Sequence, residues 1–431
     1  MKICFISAFP PSGRQLNEYG LHLADELRRD PLVSLTILSD RLDAYAFATD
    51  AGGKPLPAAS TEELPDFEVV RCWHFNSWQN PVRLLRAIRE IKPDIVWFNL
   101  VFSSFATPDH PVAAFLGLCS PAIARMAGYY THVTLHHLME HVDFAAAGIR
   151  HQSLYRFASR ITTRILLMAN SISVLLPSYR RTLLEKYRRE NVHFRAHGIL
   201  GSRPEFPDFT KRANPDQRIL AIGHWGTYKR LETLMDAFAE VTKKVPEARL
   251  IVAGANHHTM PGYWESIAEQ QKGNPRVEFR GYVAEEDIPK LFSTASILVL
   301  PYNSSTGASG PAHQACEFGL PIVSADLPEF RDMAADEDMA VDFYRIGDSG
   351  DLAERLTALL QSPSRQREMA EQNFSAALRM TMPLIIRQYL RGFDRHQRSR
   401  ALAAMTRFRR IPRWVPSRSA LYRVAMPKGW S

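Results

Sequence analysis

A short stretch whose residue types suit the binding of an anion lies in the second half of the chain. It runs from Ser304 to Val323, reads SSTGASGPAHQACEFGLPIV, and follows the strand-like run SILVLP. Gly307 and Gly310 allow close approach or positive φ, and the proline after them suits the first turn of a helix. The backbone N–H groups from Ser309 to His313 would then be open at a helix start, which favours a phosphate. An ordinary capped connection from strand to helix uses the same residues, so this stretch alone does not decide.

Two basic residues, Lys229 and Arg230, are a second feature suited to an anion. They follow the strand-like run Arg218 to Gly223 and stand at the start of the predicted helix Leu231 to Val245. Positive side chains at a helix start are slightly unfavourable unless an anion lies nearby. Loops that follow parallel strands meet at one edge of the sheet, so we predict a diphosphate between Lys229 and the Ser304 stretch. The alternative is that both are solvated surface charges.

Four histidines, His132, His136, His137 and His141, invite interpretation as a metal site. On a strand, His132 and His136 would share one face while His137 points away, and no cysteine or carboxylate completes a compact ligand set. We therefore predict no metal site. On its residues alone, His136 fits a partly buried, hydrogen-bonding histidine.

Strand and helix patterns alternate along the chain. This alternation predicts parallel sheets with helices on both faces, which would hold these residues in position. The pattern occurs twice, on either side of a polar, proline-containing segment between Leu200 and Gln217. We predict an α/β protein with two Rossmann-like, doubly wound lobes, 1–200 and 201–380, that face a cleft, then a terminal helix in 381–396 and a basic tail, 397–431. The predicted strands are Lys2 to Ala8, Leu35 to Leu38, Val69 to Cys72, Asp94 to Leu100, Val133 to His136, Ile172 to Leu176, Arg218 to Gly223, Arg249 to Ala253, Val277 to Phe279, Ile297 to Leu300 and Ile322 to Ser324.

Composition limits the classes of protein to which the chain can belong. Its 431 residues exceed one ordinary core, and 45% hydrophobic with 23% charged residues is typical of a globular protein. The net charge of +8 is concentrated at the end, because from Arg387 onward twelve basic residues stand against Asp394 alone, which leaves −3 for everything before. Nucleic-acid enzymes usually carry basic stripes in the folded body, so we expect no nucleic-acid partner.

The cysteines and the opening residues bear on the compartment. The four cysteines are scattered, form no CxxC pair and mostly lie in apolar runs, which predicts reduced core thiols and a cytoplasmic protein. The opening residues MKICFISAFPPSG fit a first buried strand better than a signal peptide. No apolar window approaches the roughly 20 residues of a membrane span.

Several motifs, in this order, resemble one known family. GHWGTYKRLETLMDAF, RLIVAGA, VEFRGYV, SILVLPY and the stretch ending EFGLPIV are similar to the donor lobe of the family 4 (group 1) glycosyltransferases of GT-B fold. MKICFISAFPPSG and TLHH extend the resemblance into the first half, so that it covers nearly all of the chain to about His396. The resemblance implies a terminal helix that crosses back to the first lobe.

The resemblance also implies roles for single residues. Lys229 matches the lysine that binds the donor phosphates, and His224 stands where a phosphate-binding arginine is usual. The family's paired glutamates, which contact donor sugar and ribose, fall on Thr306 and Gln314, as in a branch whose donor loop is rich in serine and glycine. His136 matches the histidine near the transferred sugar. The residues predicted to line the substrate site are Gly13, Gly223, His224, Lys229, Val283, Thr306, Gly307, Ser309, Gly310 and Gln314, and the predicted catalytic residues are His136 and Lys229.

The mechanism is constrained by how few carboxylates lie near the predicted phosphate turn. A glycosidase-like double displacement needs two carboxyl groups roughly 5 Å apart. The central stretch contains only Glu317, which we expect on the helix away from the turn. The resemblance instead implies retention without a protein nucleophile, with the leaving phosphate taking the proton of the acceptor hydroxyl and no metal or further cofactor required.

The predicted function is transfer of a sugar from a nucleotide diphosphate donor to a saccharide or lipid-linked saccharide acceptor, in polysaccharide or glycan biosynthesis. One alternative is a nucleotide-sugar epimerase, which would need carboxylates in the cleft. Another is a non-catalytic GT-B binding or scaffold subunit, which the missing glutamates would suit.

The basic tail suggests a peripheral contact with the inner face of a membrane. Leu402, Met405 and Phe408 recur every three residues on a short predicted helix, with arginines around them and aromatic residues after them. That composition suits an anionic membrane surface. The alternatives are a tail packed back on the protein or a disordered one. The flanking residues are Arg400, Arg407, Arg409, Arg410, Arg413, Trp414, Tyr422 and Trp430.

Overall fold

Two parallel sheets with intervening helices account for most of the protein. The computed structural model describes residues 1–42, 66–141, 152–201, 204–209, 217–226, 228–257, 260–305 and 307–409, and the statements below concern these. The contacts between residues divide the chain into two units, Met1–Met382 and Pro383–Ser431. The first unit contains both sheets.

The first lobe is built on a sheet of seven parallel strands. The strands are β1 (Lys2–Ile6), β2 (Ser34–Asp40), β3 (Val69–Trp73), β4 (Ile95–Leu100), β5 (Tyr130–Leu135), β6 (Ser171–Val174) and β7 (Val192–Phe194). The helices are α1 (Asn17–Arg28), α2 (Asn80–Ile91), α3 (Pro111–Leu118), α4 (Ser120–Met126), α5 (Gln152–Leu166) and α6 (Pro177–Tyr187). The order in the sheet is β3-β2-β1-β4-β5-β6-β7, so the strand order reverses between β1 and β4.

The second lobe repeats this arrangement with six parallel strands. The strands are β8 (Arg218–Trp225), β9 (Arg249–Asn256), β10 (Val277–Arg280), β11 (Ile297–Leu300), β12 (Ile322–Ala325) and β13 (Val341–Tyr344). The helices are α7 (Glu232–Lys244), α8 (Tyr263–Gln270), α9 (Ile288–Ser293), α10 (Gly310–Glu317), α11 (Pro328–Glu337), α12 (Ser349–Leu360) and α13 (Pro363–Arg379). The order is β10-β9-β8-β11-β12-β13, which places the reversal between β8 and β11.

The apolar patterns explain why these segments fold as they do. The strand β4 reads IVWFNL and is buried at all six positions, and β11 reads ILVL and is buried at all four. Such uninterrupted burial is typical of parallel strands that are covered on both faces by crossover helices. The helix α1 instead buries one face through Tyr19, Leu23 and Leu27. Each large apolar side chain buried in this way stabilises the fold by about 1.5–3 kcal/mol.

The described part of the second unit is a helix. It belongs to α14 (Met382–Arg409), one continuous helix of 28 residues. The sequence pattern suggested a helix to His396 and a separate short one further on, but the intervening QRSRA contains no residue that breaks a helix. The predicted path back to the first lobe stays a prediction, and the tail residues from Arg410 onward lie outside the described residues. Within the described ranges, no helix has the length and apolarity needed to cross a membrane.

The predicted elements differ from the observed ones mainly where segments are short or polar. The strand β5 reads YTHVTL and starts three residues earlier than predicted, because its threonines and histidine conceal a strand that is buried throughout. The strands β7 (VHF) and β13 (VDFY) were missed, since three or four residues with one polar member show no period. By contrast, β11 has the predicted bounds.

Candidate active site

The two loops predicted to hold an anion lie side by side at the carboxyl edge of the second sheet. One follows β8 and the other follows β11, and these neighbouring strands flank the point where the strand order reverses. At such a point the two connections leave in opposite directions, which opens a crevice for ligands. Isolated bridges tie the loops together by joining Lys229 to Gly226 within one loop and Lys229 to Tyr302 in the other.

Lys229 is held at this edge by its backbone. Its N–H donates to the carbonyl of Gly226 at 3.0 Å, and its carbonyl accepts from the Gly226 N–H at 2.9 Å. The helix α7 begins at Glu232, so Lys229 lies in a tight bridge just before the helix. Its ammonium lies 4.8 Å from the centre of the Tyr302 ring, and among the described residues it has no acidic partner. The neighbouring Arg230, in contrast, pairs with Glu232 at 2.6 Å.

Gly223 and Tyr302 complete a small polar space around the Lys229 ammonium. A Cβ built on Gly223 would lie 3.6 Å from Lys229 Nζ and 3.7 Å from the Tyr302 hydroxyl. Tyr302 is only 3% exposed, and its hydroxyl makes no hydrogen bond with acceptable geometry within the described chain, although the Ser309 hydroxyl is close by. Burial raises the pKa of Tyr302, so the phenol stays a neutral donor. A buried donor beside a lysine without an acidic partner is suited to an anion.

Ser309 is the N-cap residue of α10, the helix that begins at this turn. Its hydroxyl accepts from the Ala312 N–H at 3.3 Å, and its carbonyl accepts from the His313 N–H at 3.1 Å. These two bonds correct the prediction that all N–H groups from Ser309 to His313 are open. In the described part of the chain, the N–H groups of Ser309 and Gly310 are the ones left without a protein acceptor. A Cβ built on Gly310 would meet nothing within 4 Å, so there is open space in front of the turn.

Gly307 brings this loop against the first lobe. A Cβ built on Gly307 would lie 2.8 Å from the carbonyl oxygen of His136, which directly follows β5. The carboxyl edges of the two sheets therefore meet where His136 touches the loop that follows β11, called the donor-side loop below. Thr306, the neighbouring predicted site residue, lies outside the described residues.

His136 is buried, and its hydrogen bond defines its tautomer. Nε2 lies 2.7 Å from Asn99 Oδ1, while the Asn99 amide nitrogen donates to the Ser7 hydroxyl. Nε2 must therefore carry the proton, and Nδ1 is an acceptor. Burial, with smaller contributions from His197 and His137, holds the pKa of His136 well below its usual range. The neutral ring can accept a hydrogen bond from a sugar hydroxyl but is not set up as a general acid near pH 7.

The other histidines of this segment have separate partners. His132 Nδ1 lies 2.6 Å from the Ser171 hydroxyl, and His141 contacts Thr182 at 2.9 Å and Glu329 at 3.6 Å. Within the described ranges, no three histidine, cysteine or acidic side chains come together as a metal site would require.

In the first lobe, the loop that contains Gly13 is held in place by Arg71 and Asp40. The Arg71 guanidinium donates to the carbonyls of Pro10 and Asp40, and the buried Asp40 carboxylate accepts from the Ser12 hydroxyl at 2.6 Å. Gly13 follows as an exposed residue of this loop, which leaves the carboxyl end of β1. The first lobe thus presents a braced loop beside its own reversal of strand order.

The remaining predicted residues are less closely tied to Lys229. His224 is exposed on β8 in register with Ala255, and strand alternation directs it to the face opposite Gly223. Gln314 is half-exposed on α10, and Val283 is half-buried in the segment after β10.

Glu317, the carboxylate of the central stretch, lies at the far end of α10. A Cβ built on Gly201, in the connection between the lobes, would lie 2.0 Å from its Oε1. As predicted, this carboxylate is directed away from the phosphate turn.

Sequence reasoning missed several residues that the fold brings to this region. Tyr302 directly follows a predicted strand and its proline, a position that could have drawn attention to it. His313 was considered only for its backbone N–H. His197 had no sequence signal, because it lies in the connection between the lobes, yet its ring lies 4.7 Å from those of Tyr19 and His313.

Comparison with known proteins relates the second lobe to one family by sequence and both lobes to solved structures by fold. Residues 216–362, which include the whole second sheet, match the family described as Glycosyl transferases group 1. The similarity to this family therefore lies in the second lobe. A segment of 89 residues is 34% identical to the mannosylfructose-phosphate synthase of Agrobacterium fabrum, but the match covers 19% of this chain and 19% of that protein. The chain therefore spans about a fifth of the length of this curated relative.

Solved structures extend the similarity of fold to both lobes. Anabaena HepE in complex with UDP superposes with a TM-score of 0.66 at 16% identity, over 91% of this chain and 100% of that one. The sucrose-phosphate synthase of Thermosynechococcus elongatus gives 0.70 at 14% identity, over 93% and 100%. These similarities confirm the predicted GT-B fold, with two parallel-sheet α/β lobes.

Proposed function

We propose that the protein is a glycosyltransferase that transfers a sugar from a nucleoside diphosphate donor to a saccharide or lipid-linked saccharide acceptor. The observation that carries the proposal is the polar space among Gly223, Lys229 and Tyr302, at the reversal of strand order in a lobe that matches the group 1 glycosyltransferases. A similar structure, Anabaena HepE, has been solved with UDP and with UDP-glucose, which supports a nucleotide sugar as the donor.

Lys229 is proposed to bind the donor phosphates, together with the N–H groups of Ser309 and Gly310. The lysine has no acidic partner within the described chain, so a diphosphate would be its first counter-ion. The helix start adds partial positive charge on the same side. The Tyr302 phenol can donate one further hydrogen bond.

The chemical step needs little from the protein beyond position and charge. The bond between the anomeric carbon and the donor phosphate breaks, and the acceptor oxygen bonds to the anomeric carbon. The acceptor hydroxyl proton passes to the departing phosphate oxygen, so the nucleoside diphosphate is the base. We propose retention of configuration, as the resemblance to the family 4 glycosyltransferases implies. Glu317, the carboxylate nearest in sequence to the turn, is directed to Gly201, so it is not placed to act as a nucleophile on the sugar. Lys229 would stabilise the charge that develops on the diphosphate.

His136 is proposed to orient the transferred sugar. It lies where the donor-side loop touches the first lobe, and its Nδ1 is an acceptor for a sugar hydroxyl. Burial holds the pKa of His136 well below its usual range, which favours a neutral ring in this role. The exposed loop at Gly13 is proposed to lie beside the acceptor.

One experiment tests the proposal against its alternatives. Thermal shift with a panel of nucleoside diphosphates and nucleotide sugars first identifies the base, since a ligand at 100 times its Kd stabilises by about 2.7 kcal/mol. The stabilising donor is then incubated with candidate acceptors. A transferase releases the nucleoside diphosphate only with an acceptor, whereas an epimerase isomerises the sugar without one. Binding without turnover would favour a scaffold subunit, and no binding by any nucleotide would refute the proposal.

The acceptor class is proposed from the end of the chain. The last described turns of α14 are basic and include Leu402, which is 56% exposed. We propose that this segment and the residues after it contact an anionic membrane surface. Each basic residue near such a surface contributes about 1 kcal/mol. A membrane contact would bring the enzyme to a lipid-linked acceptor.

A further inference from the structure

A histidine and a glutamate form a buried ionic pair one turn behind the proposed phosphate turn. His313 Nδ1 lies 2.7 Å from the carbonyl oxygen of Ser309, and Nε2 lies 2.8 Å from Glu337 Oε2. Their side chains are 1% and 6% exposed. The contact with Glu337 is close but not linear, so it is an ion pair and not an aligned hydrogen bond. Neither residue has a role in the chemistry described above.

The contacts determine how many protons the pair carries. The Ser309 carbonyl can only accept, so Nδ1 must hold a proton. An unprotonated, electron-rich Nε2 only 2.8 Å from a carboxylate oxygen would be repelled by it, whereas a protonated Nε2 is attracted, so we assign a second proton to Nε2. With the carboxyl ionised, His313 is an imidazolium. The balance of burial, which opposes the charge, and Glu337, which favours it, raises the pKa of His313 in agreement with this assignment.

Three other titratable groups interact with the pair. Next to Glu337 on α11, burial together with the charges of Glu337 and Asp332 raises the pKa of Asp336. The His197 ring lies 4.7 Å from that of His313, and burial together with the His313 charge lowers the pKa of His197 to about 3. Burial raises the pKa of Cys316 on the same helix well above its usual range. We therefore take His313, whose pKa Glu337 raises, as the group whose loss of charge the pH dependence follows.

The hydrogen bond to Ser309 fixes the peptide that faces the open space. Ser309 O accepts from both the backbone N–H and the ring N–H of His313, so this carbonyl points along the helix. In a trans peptide the N–H points opposite to the C=O, and the Gly310 N–H must then point outward from the helix start. The positive end of the ion pair also faces the turn while Glu337 lies behind it, so the pair has the same polarity as the helix dipole.

Stability does not explain a charged pair at this position. Replacing a buried ion pair by apolar residues of similar volume is often neutral or stabilising, because both charges lose their hydration. The surrounding positions Ala312, Ala315 and Cys316 are fully buried apolar residues, so an apolar side chain would suit the site.

We propose that His313, kept charged by Glu337, is a positioning residue of the donor site that aims the Gly310 N–H at the diphosphate and raises the positive potential there. The inference depends on the proposed function, because it needs a nucleoside diphosphate in front of Gly310.

The test compares UDP binding by calorimetry in the full chain with that of two variants, after thermal shift has shown that UDP binds. In His313→Asn, the amide can replace the Nδ1 donor but carries no charge. In Glu337→Gln, burial is no longer opposed by a carboxylate, so the imidazole becomes neutral. We expect both to weaken UDP binding by about tenfold at pH 6.5. The control is His141→Asn, which alters another histidine–glutamate contact, at 3.6 Å, and should leave the affinity unchanged.

The pH dependence separates the positioning role from a purely structural one. The raised pKa means that the imidazolium is present at pH 6.5 and is lost as the pH rises through that pKa. The ratio of wild-type to His313→Asn affinity should therefore fall towards one as the pH is raised above 6.5, and the ratio cancels the titration of UDP itself. If His313→Asn does not fold, Glu337→Gln and the wild-type profile give the same comparison.

Two outcomes would overturn the inference. Equal affinity of wild type and both variants at pH 6.5, or a constant ratio at all pH values with a lowered Tm, would make the pair purely structural and would leave the proposed function intact. Failure of the wild type to bind UDP or any other nucleoside diphosphate would overturn both.

Discussion

Replacing Lys229 by alanine should lower the rate of transfer without unfolding the protein. The backbone bridge to Gly226 uses only main-chain atoms, so alanine keeps it. The side chain contributes the contact with the Tyr302 ring at 4.8 Å, and a partly exposed cation–π contact is worth about 0.5–1 kcal/mol. Because the ammonium has no acidic partner within the described chain, its removal leaves no buried carboxylate unpaired.

The stabilisation of the transition state that Lys229→Ala removes should be larger than this loss of folding stability. At 4 Å, a unit charge attracts another by about 4 kcal/mol at an effective dielectric constant of 20. Part of this is offset by the hydration that the lysine loses. Removal of one preorganised group of this kind costs about 3 kcal/mol in measured cases, which corresponds to roughly a hundredfold in rate.

The assay is release of the nucleoside diphosphate under saturating acceptor, with the donor identified by thermal shift, and Tm is recorded for each variant. Arg230→Ala is the matched control, because the neighbouring arginine is paired with Glu232 at 2.6 Å and is not expected to face the phosphates. A kcat/KM of Lys229→Ala within a factor of three of the wild type, at full folding, would refute the assignment of the donor site.

Four further predictions follow from single contacts. Tyr302→Phe should weaken nucleoside diphosphate binding by a few-fold, as calorimetry would measure, because one neutral hydrogen bond contributes about 1 kcal/mol; unchanged affinity would mean that the phenol is not in the site. Gly307→Ala should reduce turnover more than nucleotide affinity, since its Cβ would lie 2.8 Å from a backbone carbonyl of the other lobe, and normal turnover would contradict that contact. His136→Ala should lower kcat with little effect on nucleotide affinity, whereas loss of one bound zinc on metal analysis would overturn the sugar-contact assignment. A chain ending at Arg409 should sediment less with anionic liposomes than the full chain at low salt, and equal recovery in the supernatant would argue for a soluble acceptor.

The architecture could be predicted because its signals are local. Long apolar runs such as β4 and alternating strand and helix lengths are enough to identify doubly wound lobes. The reversal of strand order then determines where the loops after β8 and β11 meet, so the neighbourhood of Lys229 and Ser309 followed from topology.

The interior of the site could not be predicted in the same way. Whether the N–H groups from Ser309 to His313 are open depends on the Ser309 cap and on His313. The side chain of His313 contacts residues 4 and 24 positions away from it in the sequence. His197 reaches the donor helix from the connection between the lobes, and no period in the sequence marks it. The predicted helix ends at His396 because the composition changes there. In the structure α14 continues past that point, since a change of composition does not by itself break a helix.

The donor-side loop is constrained from both lobes at once. Gly307 is packed against the backbone of His136, and His313 at the start of α10 is stacked on His197, whose carbonyl accepts from the Tyr19 hydroxyl of the first lobe at 2.9 Å. Any shift of one lobe relative to the other must therefore alter the loop that presents the Gly310 N–H. Because the sugar would lie between His136 and the phosphate turn, the contacts that orient the sugar and those that hold the diphosphate depend on the same interface.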